Sequence, residues 1–173
     1  PVTALDISGA RIRRMEENFT RTGTTAQTIR ADILKWRPPL DGGQFDAILL
    51  DAPCSATGIF RRHPDVLIRV GERQIAETME LQSAMLARAA DWVADGGVLV
   101  YAVCSMEPRE GEEQIAAFLS VRPDFALDPI CAEELPDGIA PNADGTLRTG
   151  PWLMAEHGSL DGFFAARLRK AAA

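Results

Sequence analysis

Two cysteines stand where a reactive thiol belongs. Cys54 follows the apolar run Phe45–Leu50 within Asp51-Ala52-Pro53-Cys54-Ser55, and Cys104 follows the run Val98–Val103. Each lies just beyond its run rather than inside it. If the runs are neighbouring parallel strands, roughly 4.8 Å apart, both thiols open into one crevice. Such a pair can be two small buried hydrophobes, a redox couple, or a covalent catalyst in which one thiolate attacks and the other later removes a proton. The absence of a C-x-x-C spacing weighs against the redox couple, and the position after each run weighs against simple burial.

Three acids, Asp6, Asp32 and Asp51, also fall at or just past the ends of apolar segments. Open α/β sheets bind ligands outside the carboxyl ends of their strands. A carboxylate there can accept hydrogen bonds from both hydroxyls of a ribose. Any one of the three read alone is more often a helix cap or loop acid; as a set at successive strand ends they favour a ligand carrying a ribose and an adenine.

The elements that must hold these residues alternate. Val2–Ile7 reads as a buried strand, Ser8 as an N-cap, and Ile12, Met15 and Phe19 as one helix face closed by Gly23. A second strand is expected over Ala26–Ile29, ending near Asp32. Pro38, Pro39, Gly42 and Gly43 mark a loop. Phe45–Leu50 suits a strand buried on both faces. A helix is expected from Glu72 to Ala94, facing inward through Ile75, Met79, Leu86, Ala89 and Val93, and stopped by Asp95-Gly96-Gly97. Strand Val98–Val103 and a helix over Glu112–Val121, with Ile115, Phe118 and Leu119 inward, come next. Shorter strand signals lie at Phe125–Leu127, Thr146–Thr149 and Phe163–Leu168, the last two close enough in sequence to form an antiparallel edge. Ala171–Ala173 reads as a frayed end. Strand and helix in alternation, with apolar strands, predict an α/β domain with a mostly parallel sheet over residues 1–173.

Bulk properties narrow the function. The 173 residues fit one domain, and a formal net charge of −7 argues against a surface that grips nucleic acid by charge alone. No apolar run approaches the length of a membrane span. Pro1 to Asp6 lacks the basic region and cleavage pattern of a signal peptide, so a cytoplasmic protein is expected. Cys54, Cys104 and Cys131 form neither a disulfide framework nor, with His63 and His157, a recognisable metal motif, so no metal is expected.

The segments Asp51-Ala52-Pro53-Cys54-Ser55-Ala56-Thr57-Gly58, Arg61-Arg62-His63-Pro64-Asp65 and Tyr101-Ala102-Val103-Cys104-Ser105-Met106-Glu107-Pro108 closely resemble the Sun/Fmu family of RNA 5-methylcytosine methyltransferases. Asp6 through Arg21 and Asp161-Gly162-Phe163-Phe164-Ala165 look like that family too. The resemblance implies the Rossmann-like class I S-adenosylmethionine-dependent methyltransferase fold and methyl transfer from S-adenosylmethionine to carbon 5 of cytosine in RNA, ribosomal rather than transfer RNA. It implies that Cys104 is the nucleophile, that Cys54 assists breakdown of the covalent adduct, and that Asp51 bonds the ring nitrogen and exocyclic amine. Asp6, Arg11, Asp32 and Asp51 would contact the cofactor. Pro53, through its carbonyl, and Ser55 would face the substrate, with Arg61, Arg62 and His63 on RNA phosphates or simply in an exposed polar loop.

Two departures stand out. Val103 replaces the threonine usual before the nucleophile, and the family's first strand, its glycine-rich cofactor loop and its N-terminal RNA-binding region do not precede Asp6. The resemblance then implies a catalytic-domain fragment with a gap between the Asp6 strand and the Phe45–Leu50 strand, weak in cofactor binding and inactive alone. The rival readings are a DNA cytosine methyltransferase using Cys54, an amino-group methyltransferase needing no thiol, and a non-catalytic RNA-binding protein.

Overall fold

The computed structural model of the chain describes residues 1–38 and 44–172; the expected loop positions Pro39, Gly42 and Gly43, and Ala173, lie outside them. Two compact units divide the chain, Pro1–Gly43 and Gln44–Ala173.

In the first unit, β1 (Thr3–Asp6) and β2 (Gln27–Arg30) pair in parallel, with Asp6 opposite Arg30. Helix α1 (Gly9–Thr22) joins them. The Ser8 hydroxyl accepts the backbone N–H of Arg11 at its start. Gly23, at φ 68°, turns the chain at its end, where most side chains would be strained. The first strand is shorter than expected: Val2 and Ile7 lie outside the ladder and are exposed.

The second unit holds β3 (Phe45–Asp51), α2 (Val66–Arg69), α3 (Glu72–Ala90), β4 (Val93–Val103), α4 (Glu112–Val121), β5 (Phe125–Leu127), β6 (Leu147–Thr149) and β7 (Phe163–Lys170). Its sheet runs β3-β4-β7-β5, with β6 also paired to β7. The β3–β4 pair is parallel, and β7 is antiparallel to β4, β5 and β6. The antiparallel part is therefore larger than an edge. Strand β7 is interior: β5 covers Leu168–Lys170 and β6 covers Phe163–Ala165 on the side away from β4. Phe164, Ala166 and Leu168 are accordingly fully buried.

Two further expectations change. Strand β3 is not buried on both faces: among the described residues it pairs with β4 alone, and Leu49 is 71% exposed while Leu50 is buried. Helix α3 stops at Ala90, and Val93 opens β4 instead of closing the helix face. Val93 pairs with Phe45, but the next pair is Val98 with Ala47, so Ala94–Gly97 form a bulge. Gly96 takes φ +75° there, and a Cβ on Gly97 would lie 2.8 Å from the Ala94 carbonyl. The expected frayed end is partly tied down, because Ala171 bonds Asp124 and Gly96 through its backbone. The core holds Leu86, Ala89 and Ala90 of α3, which packs on both β4 and α4, together with Ile115 and Phe118 of α4 and Leu99, Tyr101 and Val103 of β4. Each of the large apolar side chains among them contributes roughly 1.5–3 kcal/mol. No described helix is long and apolar enough to cross a membrane.

Candidate active site

Parallel pairing brings the two cysteine turns side by side. Asp51 pairs with Ala102, and the Ala52 N–H still donates to the Ala102 carbonyl at 3.0 Å. Both chains then leave the sheet at its carboxyl end. Cys54 and Cys104 are half-buried, and their Sγ atoms lie 3.5 Å apart. Ala56, at φ 58°, reverses the chain after Ser55 in a conformation that non-glycine residues seldom adopt. The Gly58 N–H then returns to the Cys104 carbonyl at 3.1 Å, closing one turn onto the other.

The two thiols are not equivalent. The hydrogen bond from Cys54 brings Cys104 down to about 7, against burial and the negative charge of Asp51. The same hydrogen bond, burial and the charge on Cys104 push Cys54 far up. The two sulfurs therefore titrate as a pair, with Cys104 the more readily ionised and Cys54 the one that keeps a proton longer.

Beneath the turns lies a polar network that the sequence reading missed. Glu110 is fully buried. It accepts from the Ser55 N–H at 2.9 Å, the Ser55 hydroxyl at 2.5 Å, the Thr78 hydroxyl at 2.6 Å and Gln82 Nε2 at 3.1 Å. The Ser55 and Ser105 hydroxyls lie 3.1 Å apart, and Thr57 bridges to Ser105 at 3.2 Å. Burial pushes the Glu110 carboxyl up, but hydrogen bonds from Ser105, Ser55 and Thr78 outweigh it and hold the group below its ordinary value. Nothing in the local sequence marks Glu110, which sits among Glu107, Glu112 and Glu113 at a helix entry.

The remaining expected residues divide. Asp51 is exposed at the end of β3. The Pro53 carbonyl accepts Gln82 Nε2 at 2.9 Å and keeps a second lone pair. Ser55 is corrected: it is 2% exposed and its hydroxyl is spent on Glu110, so it supports the turn instead of touching substrate. Arg61 and Arg62 both pair with Asp161, which offsets part of their charge, and His63 is exposed. In the first unit, Asp6 accepts the Ser8 N–H at 2.7 Å and pairs with Arg11 Nε at 2.7 Å. Asp32 accepts the Leu34 N–H at 3.0 Å just past β2. Asp6 and Asp32 thus sit at the same end of one parallel strand pair, with lone pairs to spare for hydroxyl or amine donors. Among the described residues, no three His, Cys, Asp or Glu side chains group as metal ligands.

Comparison with known proteins points one way. The sequence model of the 16S rRNA methyltransferase RsmB/F family matches residues 1–169. Ribosomal RNA small subunit methyltransferase B of Shewanella oneidensis is 38% identical over 168 residues, covering 97% of this chain and 37% of its own length. The protein of the same name from Sodalis glossinidius is 41% identical over 172 residues, covering 98% and 36%. The chain thus spans little more than a third of these relatives. The crystal structure of NSun6 from Pyrococcus horikoshii with SFG is similar at a TM-score of 0.78 and 31% identity, over 99% of this chain and 41% of that one. A methyltransferase homologue from Pyrococcus horikoshii gives 0.70 and 26%, over 97% and 52%.

Proposed function

Because the chain belongs to the 16S rRNA methyltransferase RsmB/F family, we propose that it carries the catalytic residues of an enzyme that methylates carbon 5 of cytosine in RNA, ribosomal rather than transfer RNA. The observation that carries this reading is the 3.5 Å contact between Cys54 and Cys104 beyond the carboxyl ends of two paired parallel strands.

Carbon 5 of cytosine is a weak nucleophile, and addition of a thiolate at carbon 6 activates it as an enamine. The Cys104 Sγ makes that bond. Asp51 bonds the ring nitrogen and the exocyclic amine, and the free lone pair of the Pro53 carbonyl receives the amine; this selects cytosine over uracil. S-adenosylmethionine supplies an electrophilic methyl group when bound. Asp6 and Asp32 suit its ribose and adenine amine, with Arg11 as a further contact in the same unit. Once Cys104 has become a neutral thioether, the charge that held the Cys54 proton in place is gone. Cys54 gives that proton to solvent and then takes the proton from carbon 5, while the S–C6 bond breaks and its electron pair returns to Cys104. The base has to be unstacked to reach these sulfurs.

The resemblance of the Tyr101–Pro108 segment to the family favours Cys104 over Cys54 as nucleophile, and the downward direction at Cys104 agrees with it, which disfavours the DNA-type assignment. An amino-group methyltransferase needs no thiolate at all. Methyl-labelled S-adenosylmethionine and 16S rRNA, incubated with the gene product that carries this chain, are expected to give labelled 5-methylcytidine on nucleoside analysis. Labelled N4-methylcytidine, or label in DNA but not RNA, overturns the reading.

A further inference from the structure

A fully buried carboxylate is costly unless its charge is matched. Glu110 has no exposed surface, and no salt bridge to it occurs among the described residues. Neutral donors satisfy it instead. They come from the Cys54 turn (the Ser55 N–H and hydroxyl), from Ser105 of the Cys104 turn and from α3 (Thr78 and Gln82). The Ser55 hydroxyl passes the connection to Ser105, the residue after Cys104. Gln82 also holds the Pro53 carbonyl, the residue before Cys54. The Glu110 backbone carbonyl takes the hydroxyl of buried Tyr101 at 2.7 Å, from the strand that ends at Cys104. One residue therefore ties both cysteine turns to the helix and strand behind them. A well-packed apolar group of the same volume would often be as stable, so the retained carboxylate calls for another explanation.

We propose that Glu110 is a positioning residue: it locks the Ser55 and Ser105 turns so that the Cys54 Sγ rests against the Cys104 Sγ, and through that contact it sets the nucleophilicity of Cys104. This rests on Cys104 being the attacking thiol.

Charge and geometry predict opposite signs, which makes the role separable. Cys104 feels Cys54, Asp51 and Glu110. The negative charge of Glu110 acting through space raises both cysteines. If charge were all it contributed, neutralising it would let the Cys104 thiolate form at lower pH. If Glu110 holds the sulfurs together, neutralising it removes the Cys54 hydrogen bond and the thiolate forms at higher pH.

The test is the pH dependence of iodoacetamide alkylation of Cys104, followed by peptide mass mapping in a Cys131→Ser background. Glu110→Gln is expected to move the midpoint from near 7 toward the ordinary thiol value of about 8.5, with alkylation at pH 7 about tenfold slower. A midpoint that falls or stays in place overturns the proposal. Should Glu110→Gln fail to fold, Ser55→Ala decides: it keeps the Ser55 N–H on Glu110 and removes the hydroxyl's bonds to Glu110, Ser105 and Thr57. Its midpoint is expected to rise by a smaller amount, and an unchanged midpoint in a folded Ser55→Ala protein is equally contrary. Alkylation needs neither cofactor nor RNA. Loss of 5-methylcytidine formation as the reaction would therefore leave this result standing, and the reverse also holds.

Discussion

Gly162 donates its backbone N–H to the Gly58 carbonyl at 2.7 Å, and a Cβ on Gly58 would lie 1.9 Å from the Gly162 oxygen. The two glycines press the turn after Cys54 against the segment that enters β7. Gly58 also donates its N–H to the Cys104 carbonyl, so this close approach ties the cysteine turns to the entry of β7 independently of Glu110.

Gly58→Ala forces backbone against backbone and is expected to cost about 3 kcal/mol or more, at the upper end of overpacking effects. Gly71 has nothing within 4 Å of an added Cβ, so Gly71→Ala should stay within about 0.5 kcal/mol of wild type. Urea denaturation of the two variants compares them directly; equal midpoints would mean that the glycine contact is not needed.

Cys54→Ala removes the donor that stabilises the Cys104 thiolate. The shift at Cys104 is downward, so losing its cause raises the alkylation midpoint, from near 7 toward about 8.5. Cys104→Ala gives the converse: Cys54, relieved of its neighbour's charge, becomes easier to alkylate at neutral pH.

Arg148 grips Glu112 with two nitrogens at 2.7 and 2.6 Å, donates to the Ser105 carbonyl at 3.0 Å and lies over Phe164. Lysine cannot reproduce that fork. Arg148→Lys is expected to lose about 1–2 kcal/mol, discounted because Glu112 is 37% exposed. Burial pushes the Glu112 carboxyl up, but Arg148 prevails and holds it below its ordinary value. The stabilisation is therefore complete above the unfolded value of about 4.3 and fades as pH falls through the lower folded value. The gap between wild type and Arg148→Lys, measured by denaturation across pH, should close in acid.

Asp161 holds both Arg61 and Arg62. If those arginines meet phosphates, Asp161→Asn frees them. RNA affinity should then rise, with a steeper salt dependence, by roughly one unit in the slope of log K against log salt. An unchanged slope in filter binding would remove this loop from the RNA surface.

Much of this was readable before any coordinates. The cysteines were legible because each follows an apolar strand, and parallel pairing of those strands leaves their thiols only one place to meet. Ser8 and Gly23 were legible because capping is local chemistry. Gly96-Gly97 misled because two glycines read alike as a helix stop and as the bulge they form within β4. The interior place of β7 was hidden because its partners, β4, β5 and β6, come from three separate parts of the chain. Glu110 was invisible for the same reason: its donors are Ser55, Thr78, Gln82 and Ser105, and no spacing rule connects them.

The nucleophile itself can be identified by trapping. RNA carrying 5-fluorocytidine at the target position has no carbon-5 proton to lose, so the enzyme–RNA adduct persists and can be mapped by mass spectrometry. With the gene product that carries this chain and S-adenosylmethionine, the ring is predicted to be bonded to Cys104, and Cys104→Ser should give no adduct. An adduct on Cys54, or one that survives in Cys104→Ser, would contradict the assignment of Cys104 as the attacking sulfur.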